Sequence, residues 1–146
     1  MPLNEMRFLR RQDIDIKMWD ECISLSLNRM IYGFSWYLDS VSPDWGALVM
    51  NDYEAVMPLT HRKKWGISYL YQPYFMQQAG IFSKKTITQQ ITNIFFESIP
   101  ACYRYIDINI NEMQTEFNYY SFHTKSRRNI LLSLHTSYSE LENNFT

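Results

Sequence analysis

The N-terminal part of the chain spaces its apolar residues as a short strand followed by amphipathic helices. Met6–Arg10 is predicted to be a strand, and either Asp13 or Asp15 can cap the helix that follows it. A second, shorter helix is predicted to end at Ser42-Pro43. The apolar positions are Ile16, Trp19, Ile23 and Leu27 in the first helix, and Phe34, Tyr37, Leu38 and Val41 in the second.

The middle of the chain changes to a period of two residues, which predicts strands in place of helices. Trp45–Met50 and Tyr53–Leu59 form a predicted hairpin across a tight turn. A polar hairpin tip at His61–Gly66 leads to a third strand at Ile67–Tyr71, and part of Phe75–Ile81 supplies a fourth. Sequential short strands joined by tight turns predict an antiparallel meander.

A helix and further strands are predicted after the meander. Ser83 is expected to cap the helix, Pro100 ends it, and Tyr103–Ile110 then alternates as a strand. Because a strand, a crossover helix and a strand form a βαβ unit, the two strands that flank the helix are expected to be parallel. Phe117–Phe122 and Asn129–Leu134 predict two more strands. The apolar face of the helix is Ile87, Ile91, Ile94 and Phe95.

The last predicted element is a helix that begins at about residue 138. Ser137 and Glu140 have the spacing of a capping box, in which the serine accepts from the helix amides and the glutamate reaches back. The chain stops soon afterwards, at Thr146, and so short a helix is marginal unless it packs on other structure. Two interpretations stay open: the helix docks on its own sheet, or it starts a further structural unit.

These elements predict an α/β (α+β) fold in which helices flank a mixed, largely antiparallel sheet. The 146 residues suit one domain, here 1–146. With 14 basic and 15 acidic residues the net charge is -1, and the basic clusters are scattered, so we expect no nucleic-acid partner.

The compartment is inferred from what the sequence lacks. It has no run of about 18 apolar residues, so no membrane span is predicted, and its N-terminus does not resemble a secretory signal. Cys22 and Cys102 are interpreted as buried free thiols in a reducing compartment. A cytoplasmic location is therefore expected.

Several kinds of catalytic chemistry have no motif in this chain. The four glycines are too widely spaced for either phosphate-binding fingerprint, and there is no G-x-S-x-G nucleophile elbow. The histidines (His61, His123 and His135) and the two cysteines lack the spacing of a metal site, so no metal is predicted.

The segment Gln77–Ser83 carries the main chemical signal, because it lies between a meander strand and a predicted helix N-terminus. Unpaired amides at a helix N-terminus suit phosphate binding. A loop in this position resembles the pyrophosphate loop of the GNAT acyltransferase fold, whose pattern is Gln/Arg-x-x-Gly-x-Gly/Ala. The chain supplies Gln77 and Gly80 but places Phe82 at the last small position, where a phenyl ring is expected to hinder a phosphate. The resemblance therefore implies an acyl-coenzyme A site, whereas the Phe82 ring argues against one. The phosphate-loop candidates are Gln77, Gly80, Phe82 and Ser83.

A narrower resemblance covers nearly the whole chain. Its sequence blocks are similar to the N-terminal half of FemABX-like proteins, bacterial members of the GNAT superfamily related to peptidoglycan-bridge peptidyltransferases. Arg128–Leu134 and Ser137–Leu141 resemble the strand and helix start that join the two halves of such proteins. The resemblance implies two GNAT-like units, with the second, C-terminal unit missing here. The other blocks are Tyr32–Asp39, Tyr53–Leu59, Tyr69–Pro73 and Gln77–Ser83.

By this resemblance, the chain is an acyl- or aminoacyl-transferase unit, inactive or incomplete alone. In such families an amine attacks a thioester or an aminoacyl ester, and catalysis rests on positioning and on polarising the carbonyl. The glutamines of a cleft could hydrogen-bond a ligand and its aromatic residues offer flat surface, although each could instead serve packing or loop capping. Glu54 could act as a base or lie on the surface. The candidate cleft residues are Tyr32, Trp36, Tyr71, Gln72, Gln77 and Gln78.

The alternative function is non-enzymatic: a GNAT-like module that forms a homodimer or binds a partner. Absence of a second unit would expose apolar surface, and exposed apolar patches favour association. The residues expected on such a surface are Tyr119, Tyr120, Phe122, Leu131, Leu141 and Phe145.

Overall fold

The computed structural model describes residues 5–114, 121–130 and 135–143. It contains seven strands in two sheets, four α-helices and two short 3-10 helices in these ranges. One sheet has the order β1 (Met6–Arg10), β2 (Gly46–Met50), β3 (Ala55–Leu59), β6 (Phe82–Ser83). The other has the order β4 (His61–Lys64), β5 (Ile67–Tyr71), β7 (Tyr103–Asp107). The helices are α1 (Ile16–Leu25), α2 (Ser35–Val41), α3 (Gln89–Glu97) and α4 (Tyr138–Asn143).

The two sheets meet along one ribbon, because only Thr60 separates β3 from β4. Thr60 accepts a hydrogen bond from the Tyr71 amide (3.1 Å) and donates its hydroxyl to the Tyr71 carbonyl (2.6 Å). The strands that directly flank α3, β6 and β7, lie in different sheets, so the expected parallel pairing across this helix is wrong, and β7 instead pairs in parallel with β5. All other strand pairs are antiparallel. The prediction of a mixed, largely antiparallel sheet flanked by helices is therefore confirmed.

The central strands of the first sheet, β2 and β3, are buried on both faces, which explains their nearly continuous apolar sequences. Ala47 and Val49 of β2 belong to the cluster that packs on α1 and α2, whereas Leu48 and Met50 belong to the cluster that packs on α3. In the first cluster the Trp19 indole lies 4.7 Å from that of Trp45. Strands covered on alternate faces by helices place the core in two layers.

Side-chain hydrogen bonds hold α1 and α2 in place. Asp15 caps α1 by accepting from the Met18 amide (3.1 Å), so one of the two predicted caps is confirmed. Arg11 binds both oxygens of Asp39 at 2.5 and 2.7 Å, and Asp39 also accepts from the Trp45 indole at 2.8 Å. These contacts, chiefly that with Arg11, lower the pKa of Asp39 below its usual value.

Three predicted boundaries around the second sheet are wrong. His61–Lys64 is not a hairpin tip but strand β4, and the turn is only Trp65-Gly66. Phe75–Ile81 holds no regular strand, only the isolated parallel bridge between Ala79 and Ile110. The strand after α3 ends at Asp107.

Ser83 does not cap a helix, contrary to prediction. It lies in β6, where its amide donates to Asn28 Oδ1 (3.3 Å) and its hydroxyl accepts from the Lys85 amide (3.0 Å). Helix α3 begins at Gln89, and Thr88 caps it by accepting from the Ile91 amide (3.3 Å). Pairing of β6 with β3 therefore extends the sheet through Ser83 and delays the helix.

The cysteines differ from each other. Cys22 is buried, and burial raises its pKa to about 11, whereas Cys102 is exposed. The prediction of two buried thiols is therefore wrong for Cys102.

The C-terminal elements are described only in part. The capping box forms in one direction, since Glu140 accepts from the Ser137 amide (3.0 Å), while the Ser137 hydroxyl bonds the same carboxylate (3.0 Å). Of the predicted strands Phe117–Phe122 and Asn129–Leu134, residues 117–120 and 131–134 lie outside the described residues, and the remainder is not strand. No helix in the described ranges has the length and apolar character needed to cross a bilayer.

Candidate functional site

The loop between β5 and β6, residues 72–81, contains four of the nine predicted site residues (Gln72, Gln77, Gln78 and Gly80), and side-chain amides hold it. Gln72 donates to the Met76 carbonyl (2.6 Å) and accepts from the Asn109 amide (2.9 Å). Gln78, which is buried, accepts from the Glu112 amide (2.9 Å). Both glutamines thus fasten this β5–β6 loop to the chain that follows β7.

Three backbone amides of the predicted phosphate loop already have protein acceptors. The Ala79 amide donates to the Asn109 carbonyl (2.6 Å), and the Ile81 amide donates to Gln114 Oε1 (3.0 Å). The Ser83 amide is held by Asn28, as described above. With the helix N-terminus at Thr88 as well, the segment does not present the row of free amides that a phosphate requires.

Gly80 and Phe82 have structural reasons to be there. Gly80 has φ +93°, and a Cβ built on it would lie 2.3 Å from Gln114 Oε1, so glycine lets the Gln114 amide approach the backbone. Phe82 is fully buried, and a Cβ on Gly33 would lie 3.1 Å from its ring. The ring therefore lies in the core and not over the loop, so the expected steric hindrance of a phosphate by this ring does not apply.

The aromatic candidates form a surface at the start of α2. The Tyr37 ring lies edge-on to Tyr32 (5.4 Å) and to Trp36 (5.7 Å), and the Tyr37 hydroxyl donates to the Phe75 carbonyl at 2.5 Å. Trp36 is 55% exposed and Phe75 is 91% exposed. We call Tyr32, Trp36, Tyr37 and Phe75 the α2 aromatic surface. The structure thus brings Tyr32 and Trp36 together, and it adds Tyr37 and Phe75, which the sequence did not single out for the site.

An open depression of about 570 Å³ adjoins this surface. Its lining contains one charged group, Arg29, and no carboxylate, imidazole or thiol. It therefore offers apolar contact and a cation, but no general base or nucleophile. The lining residues are Ser24, Arg29, Met30, Ile31, Phe34 and Trp36.

The remaining candidates do not join the depression's lining. Arg62 covers the Tyr71 ring at 4.3 Å, and Gln77 donates to Asn129 Oδ1 at 3.2 Å. Glu54 is exposed and lies 3.5 Å from Lys85, so it has a surface position and not that of a base in a cleft. Among the hydrogen bonds of the described residues, only the one from the Tyr37 hydroxyl to the Phe75 carbonyl links the β5–β6 loop to the aromatic residues of α2.

A second depression, of about 460 Å³, contains titratable groups that the sequence did not connect. Asp44, His61 and Cys102 line it together with Arg10 and Arg11. Within the described residues no hydrogen bond joins His61 to Cys102, and His61 Nδ1 instead lies 3.4 Å from the Leu59 carbonyl. No group of three or more metal-ligating side chains occurs in the same ranges. The depression thus lacks a nucleophile–base pair.

Comparison of the chain with protein-family models, with curated proteins and with solved structures finds no match in any of the three.

Proposed function

We propose that this chain is a GNAT-like unit of an acyl- or aminoacyl-transferase that has little or no activity alone. The observation that supports it is the strand arrangement: antiparallel pairs through β5, then a connection through β6 and α3 to β7, which is parallel to β5. A helix crossover to a parallel strand after an antiparallel run is the part of this arrangement that the resemblance described above implies. The proposal includes a cytoplasmic location and a second unit, in the same chain or another, that supplies what this unit lacks.

The site geometry supports a binding role in place of a complete catalytic one. The Ala79, Ile81 and Ser83 amides are committed to protein acceptors, so this loop does not hold the pyrophosphate of acyl-coenzyme A. The depression beside Trp36 lacks a base. We assign to the α2 aromatic surface the binding of the aminoacyl group or of the acceptor amine, since flat aromatic rings and Arg29 line that region.

A thermal-shift screen with three ligand classes tests this proposal. The classes are acyl-coenzyme A, a non-hydrolysable aminoacyl-adenosine analogue and a peptide with a free primary amine. Acyl-coenzyme A is expected to leave the midpoint unchanged. A ligand from one of the other classes is expected to stabilise the chain, by about 2.7 kcal/mol at a hundredfold excess over Kd, and Trp36→Ser is expected to weaken this effect.

Each other result has a definite meaning for the proposal. Stabilisation by acyl-coenzyme A would contradict the conclusion that the loop around Gly80 does not bind the pyrophosphate of this cofactor. A screen with no stabilisation in any class would contradict the transferase assignment and favour the non-enzymatic alternative.

The alternative, a module that self-associates or binds a partner, has one observation in its favour. Phe75 is 91% exposed and has φ +67°, a conformation that is costly for a bulky residue. Of the residues first expected on such a surface, Phe122 lies 5.5 Å from Phe96 and Leu141 is half-buried. Tyr119, Tyr120, Leu131 and Phe145 lie outside the described residues.

If this alternative holds, the double variant Trp36→Ser/Phe75→Ser should weaken self-association at least about tenfold, because it removes two large apolar contacts. Sedimentation velocity over a range of concentrations measures it. Trp65→Ser, which removes an exposed tryptophan elsewhere, is the matched control and should have no effect on association. A chain that is monomeric at every concentration would contradict self-association.

A further inference from the structure

The hairpin formed by β4 and β5 ends in an exposed tryptophan. The register pairs Lys64 with Ile67, which leaves Trp65 and Gly66 as the turn, and both have positive φ, 50° and 81°. Asparagine, aspartate or glycine usually occupies the position that Trp65 holds, because a bulky side chain is costly at positive φ. Trp65 is nevertheless 89% exposed, and space around Gly66 is open to 4 Å. Core packing therefore does not explain this indole.

The same hairpin is strongly basic. Arg62, Lys63 and Lys64 are consecutive and exposed, and the sequence has no acidic residue between Glu54 and Glu97. Among the residues that the structure describes, the recorded ion pairs are those of Arg11 and Lys85, so neither neutralises the hairpin. A local excess of positive charge thus surrounds the tip of a chain whose net charge is only -1.

Apolar and cationic groups are arranged around the tip as in a membrane-interface anchor. Ile67 is 51% exposed opposite Lys64, and the Lys64 ammonium lies 4.6 Å from the Trp65 ring centroid. Tryptophan prefers the interface between lipid headgroups and acyl chains, while lysine and arginine attract anionic headgroups. We propose that this Trp65 hairpin docks the chain on an anionic phospholipid surface.

The same basic and aromatic composition could in principle suit single-stranded nucleic acid, but the ring geometry favours lipid. Bases stack on open aromatic faces. The Arg62 guanidinium covers Tyr71 at 4.3 Å, and the Tyr69 and Tyr71 rings are inclined at 65°, so they do not form a flat platform. The tip offers a single indole with a neighbouring isoleucine, which inserts readily among headgroups.

Co-sedimentation of the full chain with vesicles tests the proposal. The chain is expected to bind vesicles of phosphatidylcholine containing phosphatidylglycerol, to bind pure phosphatidylcholine much less, and to dissociate as salt is raised. Lys63→Ala/Lys64→Ala should weaken binding about 25-fold, since each cation at an anionic surface contributes about fivefold. Trp65→Ser should weaken it about tenfold, because apolar contact is lost.

Two variants serve as matched controls. Lys84→Ala/Lys85→Ala removes an adjacent pair of exposed lysines at the far end of the β3–β4 ribbon, beside the Ala55–Ser83 pair. Trp36→Ser removes a tryptophan that is 55% exposed on another part of the molecule. Both should bind vesicles like the unmodified chain. Thermal unfolding of all variants shows whether they are folded to the same extent.

Tryptophan fluorescence gives a second readout. Trp19 and Trp45 are fully buried, so in a Trp36→Phe background the signal that responds to lipid comes from Trp65. A blue shift and quenching by brominated lipid are expected with anionic vesicles. Equal binding to both vesicle types, no binding to either, or tight binding to a single-stranded oligonucleotide with none to vesicles would each overturn the proposal.

Discussion

Phe82→Ala is expected to lower the free energy of unfolding by about 3–5 kcal/mol and still leave acyl-coenzyme A unbound. The phenyl ring is fully buried among residues of the α1–α2 side of the core, and alanine would leave a cavity there. The loop amides would keep their bonds to Asn109, Gln114 and Asn28, because none of these bonds involves the ring. Shortening this side chain thus restores the small residue of the GNAT pattern without creating a phosphate site.

Urea unfolding measures the first part of this prediction, and calorimetry with acyl-coenzyme A measures the second. Phe75→Ala is the control, since Phe75 is 91% exposed and its loss should change stability by less than about 0.5 kcal/mol. Phe82→Leu, which keeps most of the buried volume, should cost less than about 1.5 kcal/mol. If Phe82→Ala gained coenzyme A binding, the phenyl ring would be what prevents binding, and the hydrogen bonds of the loop amides to the protein would not be.

The fold could largely be predicted because the burial of apolar faces is repetitive. Trp19 and Ile23 of α1 are buried at the spacing that predicted a helix, and Leu38 of α2 follows the same rule. The prediction that Ser83 caps a helix was wrong because, in the local sequence alone, serine suits a helix cap and a strand equally well. Asn28, which holds the Ser83 amide, is 55 residues away in sequence, and no local pattern contains that contact.

The sequence indicates the loop around Gly80 as a candidate site, but it does not assign the roles of the side chains in that loop. The sequence places glutamines around Gly80, but it does not show whether their amides face a ligand or the chain itself. Gln72 bonds Asn109 and Gln78 bonds Glu112, at separations of 37 and 34 residues, so tertiary contacts assign both to loop support. The exposure of Phe75 and Trp65 could not be predicted from the sequence either, because apolar residues in these turns could have packed on the sheet.

Gly80→Ala is the second prediction with a large effect, an expected loss of about 3–5 kcal/mol of unfolding free energy. The new Cβ would lie 2.3 Å from Gln114 Oε1, so the Gln114 side chain must move. That movement leaves the buried Ile81 amide without its acceptor, and the positive φ of +93° adds backbone strain. Gly66→Ala is the matched control, because φ is +81° there but nothing lies within 4 Å of the added Cβ. It should cost only about 1 kcal/mol.

A double-mutant cycle separates the collision from the strain. Gln114→Ala alone should cost about 1–3 kcal/mol, since it removes the acceptor of the Ile81 amide. Combined with Gly80→Ala it should cost clearly less than the sum of the two, because the colliding oxygen is already gone. Additive costs in urea unfolding would mean that the side chain of Gln114 does not approach Gly80. In that event the loop amides would be less firmly held than their hydrogen bonds indicate, and a phosphate site in this loop would again be a reasonable hypothesis.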